Sequence, residues 1–320
     1  AEDGIRDHCV TGVQTCALPI WPHLSSCCPP SRRLELHDRG SQASTLFSAP
    51  EAVGWIADHK PLQQQLLQAC RQHDAVEMHI GAGSSPSSDP MDLQVIAEGA
   101  NSSSRQALGI GFRGFRYRQS CLTVQVRLQT ACSDDGTAWE LFRPEGPLAV
   151  LPFGAGVAQV VWSAPQQRCQ ERCELHPEAF LAALNDALPP AAQAEALLDQ
   201  PAWFPVEWRL APRLGRGTTL LCGESAHRCH PVGGQGLNLC WRDVATLAEL
   251  ARQPELQARQ LVRRYGRRRW LDLIAVMIAT DGLIRLFSNG HRLLLPIRRF
   301  GIGLRSEEHT SELQSHSDLV

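Results

Sequence analysis

Lysine is almost absent from this 320-residue chain, where Lys60 stands alone against thirty arginines. No run of 18 or more apolar residues occurs, so no transmembrane helix is expected. Residues 1–20 have neither a basic leader nor an apolar core segment and do not read as a secretory signal. The twelve cysteines lack the spacing of a secreted disulfide framework and read as reduced cytosolic thiols. There is no C-x₂-C pair either. His227, Cys229 and His230, even with Cys222 and Cys240, therefore do not read as a metal site, because three ligands within four residues cannot readily face one ion. Cys169 and Cys173 have no matching second pair. No G-x-S-x-G string occurs, which leaves a serine hydrolase unsupported. The basic residues of 259–304 sit in an apolar setting, which argues against nucleic-acid binding.

What is present is ordinary for a globular protein: 43% hydrophobic and 20% charged residues, enough for one large domain or two interlocked ones. The informative stretch is 217–251, GTTLLCGESAHRCHPVGGQGLNLCWRDVATLAELA. A short apolar run, Thr218 to Cys222, suits a strand buried on both faces. A polar loop leads to Pro231 and then Gly233, Gly234 and Gly236. From Leu237 the apolar spacing becomes helical, through Trp241, Val244, Ala248 and Ala251. Strand, glycine loop and helix make either a tight turn or a ligand loop. Glycines let a ligand lie against the backbone, and the helix N-terminus favours an electron-rich group.

A second stretch lies at 91–110. Residues 92–97 read as a strand, followed by Glu98-Gly99-Ala100-Asn101-Ser102-Ser103-Ser104-Arg105. Asn101 or Ser102 can cap the helix that follows, and Arg105 supplies a fixed positive charge. Taken alone, this is also what an ordinary helix cap with a surface arginine looks like.

Elsewhere, 34–40 reads as strand and turn, 62–70 as an amphipathic helix and 81–90 as a loop. Strict alternation at Leu122, Val124, Val126 and Leu128 opens a strand-rich segment over 119–165. Residues 177–188 and 191–198 read as two helices. Beyond 251 the chain is helical and basic, with ten arginines in 259–304 against Asp272 and Asp281. Such a region either lies on an anionic membrane surface or packs on the core with its arginines in solvent.

Taken together, Gly223, Glu224, Ala226, His227, Pro231, Gly234, Gln235, Gly236, Leu237, Asn238 and Asp243 resemble a flavin-contact motif of the group A flavoprotein aromatic hydroxylases. The Glu98-to-Arg105 string resembles that family's D-G-x-x-S-x-x-R motif. TDGLIRLFSN and HRLLLPIRRFGIGL resemble its ubiquinone-biosynthesis branch. This chain departs from the pattern at Glu98 and Glu224, where Asp is usual, and at Cys240-Trp241. The resemblance implies that Glu224 meets the ribityl chain of FAD. It implies that Pro231, Gly233, Gly234, Gln235, Gly236, Leu237 and Asn238 border the isoalloxazine, with Gly223 at the strand end. Glu98, Gly99 and Arg105 would lie near the pyrophosphate and the NAD(P)H path.

The fold it implies is α/β. A three-layer FAD/NAD(P)-binding domain (61–116 and 212–252) is interrupted by a mixed-sheet substrate domain (21–60 and 117–211) and followed by C-terminal helices (253–304). Phe142, Pro152 and Trp162 are candidates to line the substrate pocket, but the type of each equally suits packing in the core. The implied reaction is reduction of FAD by NAD(P)H, O₂ addition at flavin C4a, and hydroxylation of an electron-rich polyprenylated phenol. No single catalytic residue is assigned, and no metal. Another aromatic hydroxylase of the group, or a non-catalytic remnant, are the alternative readings. The implied setting is the cytoplasm, or the periphery of a bacterial inner membrane, in a ubiquinone-biosynthesis complex.

Residues 1–20 and 305–320 resemble translated sequencing-library adapter. Without them the balance is 29 basic to 26 acidic residues. No G-x-G-x-x-G precedes residue 91, so an N-terminal βαβ unit is expected to be missing. With it would go the strand beside 93–95 and 220–221, leaving their apolar side chains uncovered. The chain is accordingly expected to be inactive, to dissolve poorly and to hold FAD weakly.

Overall fold

The computed structural model describes residues 28–81, 92–129 and 136–299. The adapter-like termini, and all but the first residue of the loop expected at 81–90, lie outside the described residues. In chain order the strands and helices begin with β1 (Pro30–Ser31), β2 (Arg33–Asp38), β3 (Ala43–Ser48), β4 (Gly54–Trp55) and α1 (His59–Gln72). Then come β5 (Gln94–Ile96), α2 (Ser103–Ala107), β6 (Arg113–Leu128), β7 (Thr137–Phe142), β8 (Leu148–Gly154) and β9 (Val157–Pro165). They continue with α3 (Gln166–Cys173), α4 (Pro177–Ala187), β10 (Ala194–Leu197) and β11 (Ala202–Leu210). The last are β12 (Gly215–Arg216), β13 (Thr219–Leu221), β14 (His227–Arg228), α5 (Gln235–Ala251) and α6 (Ala258–Phe287). The described residues form two compact units. One comprises 59–81, 92–116 and 207–281; the other comprises 28–58, 117–206 and 282–299.

The second unit is built on a mixed sheet in the order β6-β9-β8-β7-β2-β3. Every pair in it is antiparallel except β2 with β7. The alternation read at 122–128 is real. Leu122, Val124, Val126 and Leu128 are buried together with Val150, Val160 and Trp162. Phe180, Leu184 and Ala187 of α4 and Cys169 of α3 belong to the same cluster. Successive side chains of a strand point to opposite faces, so Thr123, Gln125, Gln159 and Val161 fall on the other face, where they are half-buried.

In this unit two pocket candidates prove to be core residues, and one expected helix does not form. Trp162 lies in the helix-covered core, 6.4 Å from Phe180 in an edge-on arrangement, with the Arg172 guanidinium 3.7 Å over its ring. Phe142 is buried too, stacked on Phe287 at 4.3 Å. Both are packing residues; Pro152 is half-buried. The helix expected at 191–198 is instead a single 3₁₀ turn, Pro190–Ala192, followed by strand β10 on β6. The Asn185 side chain accepts from Ala194 N and donates to Ala194 O, both at 2.8 Å, and so occupies the groups a helix would need. This tertiary pairing overrides the helix propensity of an alanine-rich string.

The first unit holds a three-stranded sheet in the order β12-β13-β5, with β13 and β5 parallel. Thr219, Leu220 and Leu221 face Gln94, Val95 and Ile96. Leu220 and Leu221 are fully buried, contrary to the exposure expected of them. They share a core with Leu239 and Leu250 of α5 and with Leu261, Tyr265, Leu273 and Met277 of α6. The Tyr265 hydroxyl also donates to Leu221 O at 3.0 Å. Only Val95 of the expected set is exposed.

Candidate functional site

Two parallel neighbours deliver both motifs to one place. β5 and β13 run side by side, and Cys222 N donates to Ile96 O at 2.9 Å just beyond the ladder. The loops that follow, 97–102 and 222–234, therefore leave the same, C-terminal end of adjacent strands. In open α/β sheets that end is where ligands bind.

The first loop is closed from within. Ser102 caps α2 by accepting from Arg105 N at 3.1 Å. Glu98 accepts from Ser102 Oγ at 2.8 Å, from Ser104 N at 3.1 Å and from Ser104 Oγ. The Ser104 hydroxyl, then Ser102, then the Ser104 amide hold the Glu98 carboxyl below the usual carboxylate range. Arg105 is buried rather than solvent-facing. Its Nε donates to Ile110 O at 3.2 Å and its Nη1 to Ala100 O at 3.0 Å, and the guanidinium lies 3.9 Å over the Phe112 ring. These donors fix the loop's shape. Gly99 has φ 76°, and a Cβ there would meet no atom within 4 Å.

The second loop is the more open. Gly233 and Gly234 are consecutive left-handed residues, φ 66° and 62°. A side chain would strain either. Gly234 N donates to Pro231 O at 2.9 Å, and Gln235 Nε2 to Gly233 O at 3.1 Å. The chain then enters α5, a 17-residue helix with no side-chain cap and no acidic residue in its first turn. Its amide groups and positive dipole end are left for something else. A Cβ built on Gly234 or Gly236 meets nothing within 4 Å, so open space lies against the backbone there. Leu237 is exposed, Asn238 is buried and Pro231 half-buried. Glu224 is 54% exposed, with Oε2 3.6 Å from Arg228 Nε. An uncapped helix N-terminus, glycines bordering free space and an accessible carboxylate suit a flat, electron-rich ring bearing a hydroxylated chain. The residues present fit a flavin.

Beneath the loop lies a buried ion cluster. Asp243 Oδ2 accepts from Gly223 N at 2.8 Å and from His227 Nε2 at 2.9 Å. Its Oδ1 accepts from Arg269 Nε at 2.7 Å. Arg269 also donates to Asp272 and to Leu239 O. Burial pushes the Asp243 carboxyl up, but the His227 hydrogen bond and the charges of His227 and Arg269 outweigh it and hold the carboxyl low. Arg269 is thus no solvated or lipid-facing charge, being 3% exposed. The signal for this was its position on the buried stripe Val262, Tyr265, Arg269, Leu273 and Met277, spaced three or four apart. Asp243 was visible in the motif; its partners were not. Burial raises the Cys222 and Cys240 thiols to about 12 and Cys229 to about 11, so all three are protonated near neutral pH. Among the described residues no group of three or more His, Cys, Asp or Glu is placed to hold a metal.

The family model described as "FAD binding domain" matches residues 92–270. The ubiquinone hydroxylase UbiL of Rhodospirillum rubrum is 30% identical over 89% of this chain and 71% of its own. The 3-demethoxyubiquinol 3-hydroxylase of Escherichia coli is 28% identical over 93% of this chain and 81% of its own. Pseudomonas aeruginosa PqsL, solved with 2-aminobenzoylacetate, superposes with a TM-score of 0.73 at 18% identity, over 89% of this chain and 86% of that one. Klebsiella pneumoniae HpxO, solved as a point variant with FAD, gives 0.70 at 18% identity, over 94% and 85%. These two structures share the fold.

Replacing Asp243 with Asn takes from buried Arg269 its fully buried carboxylate partner and leaves it only the half-exposed Asp272, and is expected to cost about 3–5 kcal/mol. Urea denaturation checks this. A depressed carboxyl stabilises the fold above the ordinary carboxylate range and loses that contribution as pH falls through its native value. The difference between the two proteins is therefore largest near neutrality and shrinks in acid.

Proposed function

The chain belongs to the FAD-dependent monooxygenases of the ubiquinone-biosynthesis family, and from that premise we propose that it serves hydroxylation of an electron-rich, prenylated phenol with NAD(P)H and O₂. The observation that carries this reading is the convergence of both motif loops at the C-terminal end of β5 and β13, beside the uncapped N-terminus of α5. Its relatives, a ubiquinone hydroxylase and a demethoxyubiquinol hydroxylase, support the substrate class.

Bound FAD supplies the redox chemistry, accepting reducing equivalents from NAD(P)H and activating O₂. The chain's own residues do the rest. Gly234 and Gly236 leave room for the ring against the backbone. The first-turn amides of α5, near Leu237 and Asn238, would face an electron-rich edge of the ring and favour negative charge there. Glu224, exposed beside the loop, would accept hydrogen bonds from the ribityl hydroxyls. Gly99, held by the Glu98–Ser102–Ser104 cap, offers open backbone on the neighbouring loop, toward the pyrophosphate. In this reading, 61–116 and 212–252 carry the flavin and 21–60 and 117–211 the substrate.

The same reading places the protein on an anionic membrane surface, where a polyprenyl substrate resides. Arg263, Arg264, Arg267 and Arg268 are exposed on α6, and Leu271 and Ile278 continue the stripe of Arg263 and Arg267. Each such arginine near a charged bilayer contributes about 1 kcal/mol. No helix among the described residues is long and apolar enough to cross a membrane, so the contact is peripheral.

Two measurements test these assignments. Gly236 lies inside α5 with open space around it, so Gly236→Val should leave the fold intact while blocking approach of the ring. FAD titration should show its affinity lost, with an unchanged melting temperature; undiminished FAD binding removes the site. In liposome sedimentation the wild type should partition onto vesicles containing anionic lipid, and a variant with Arg263, Arg264, Arg267 and Arg268 changed to Gln should not. Equal partitioning of the two removes the membrane contact.

A further inference from the structure

A continuous line of contacts joins the two loops. Phe112 lies between two guanidinium groups, Arg105 at 3.9 Å and Arg209 at 5.8 Å from its ring centre. Arg209 Nη2 is 2.6 Å from Glu207 Oε1. Glu207 Oε2 accepts from Arg228 Nη1 at 3.2 Å, and Arg228 Nε is 3.6 Å from Glu224 Oε2. The strand register explains why Glu207 is there. Arg209 and Arg228 sit directly opposite each other across β11 and β14. Like charges so placed repel, and Glu207, only 11% exposed, bridges them.

Arg228 is thus anchored on Glu207 independently of Glu224. Glu224, by contrast, projects into solvent on a flexible stem, and a free glutamate has considerable rotamer entropy to lose on being ordered. Arg228 is its one ion-pair partner among the described residues.

We infer that Arg228 is a positioning residue for the cofactor: fixed by Glu207, it holds the Glu224 carboxylate ready for the hydroxyl-bearing chain of a flavin on the glycine loop. This rests on the reading that the loop seats FAD. The physical gain is preorganisation. A carboxylate ordered before binding loses less freedom during it. Because the contact is with the ribityl chain, the effect should not depend on the phosphates or the adenine.

The test is a double-mutant cycle on the full chain, titrated separately with FAD and with riboflavin by fluorescence quenching. Arg228→Gln should weaken both ligands by about 3- to 10-fold. Glu224→Gln should weaken both at least as much. The double variant should bind no worse than Glu224→Gln alone, since the two residues act as one unit. Arg228→Lys keeps the charge and should recover most of the affinity. Unchanged binding in Arg228→Gln overturns the inference. So do effects of Arg228→Gln and Glu224→Gln that multiply, and so does a loss with FAD that riboflavin does not share. Gly236→Val separates the two levels. If it binds FAD like the wild type, the reading beneath the inference fails. If it loses FAD while Arg228→Gln binds normally, only the inference falls.

Discussion

A single buried carboxylate holds the cofactor half of this protein in shape. Asp243 sits more than two turns into α5, yet it accepts from the first amide after Cys222, from the His227 ring and from Arg269 of α6. Helix, strand end, following loop and second helix are tied to two oxygen atoms. A charge so deep is tolerated only because it is fully paired. The glycine loop 231–234 spans the gap between the pinned His227 and the pinned helix.

That constraint explains how an uncapped helix N-terminus survives here. Most helices satisfy their first amides with a side chain at the cap. α5 has Gly234 in that place and no acid in its first turn. It is held instead from its inner face, through Asp243 and Leu239. The N-terminal amides can go without a side-chain cap because stability comes from elsewhere. The neighbouring loop takes the opposite course: Glu98 and Ser102 commit their hydrogen bonds to α2, and Arg105 gives its donors to the loop's own carbonyls. One loop is braced by its own side chains, while the other leaves open space against its backbone.

The second unit depends on simpler physics. Its sheet has one face sealed by α3 and α4 and one face of mixed polarity. Trp162 shows what decides between a pocket and a packing role for an aromatic residue. Its indole N–H donates to Glu145 at 3.3 Å, and Arg172, which pairs with the same carboxylate, covers the ring. A large ring with that many partners is a core residue however well its type would suit a pocket.

The sequence by itself determined whatever depends on local chemistry. The turn glycines at 233 and 234, the helix beginning near 237, the Ser102 cap and the alternation of β6 all follow from spacing and residue type within a few positions. The motif strings pointed to the cofactor for the same reason, since a flavin loop is local. The tertiary structure alone decided which polar residues turn inward. Arg105 and Arg269 look like surface charges in their strings. Both are buried, Arg105 because nearby carbonyls take its donors and Arg269 because a carboxylate far along the chain meets it. Residues 191–198 look helical, and part of the stretch becomes a strand because β6 offers an edge and Asn185 a template. Leu220 and Leu221 are covered by α5 and α6, which no window around them reveals. Local propensities amount to fractions of a kilocalorie per residue, whereas pairing a buried charge is worth several, so long-range partners prevail wherever the two disagree.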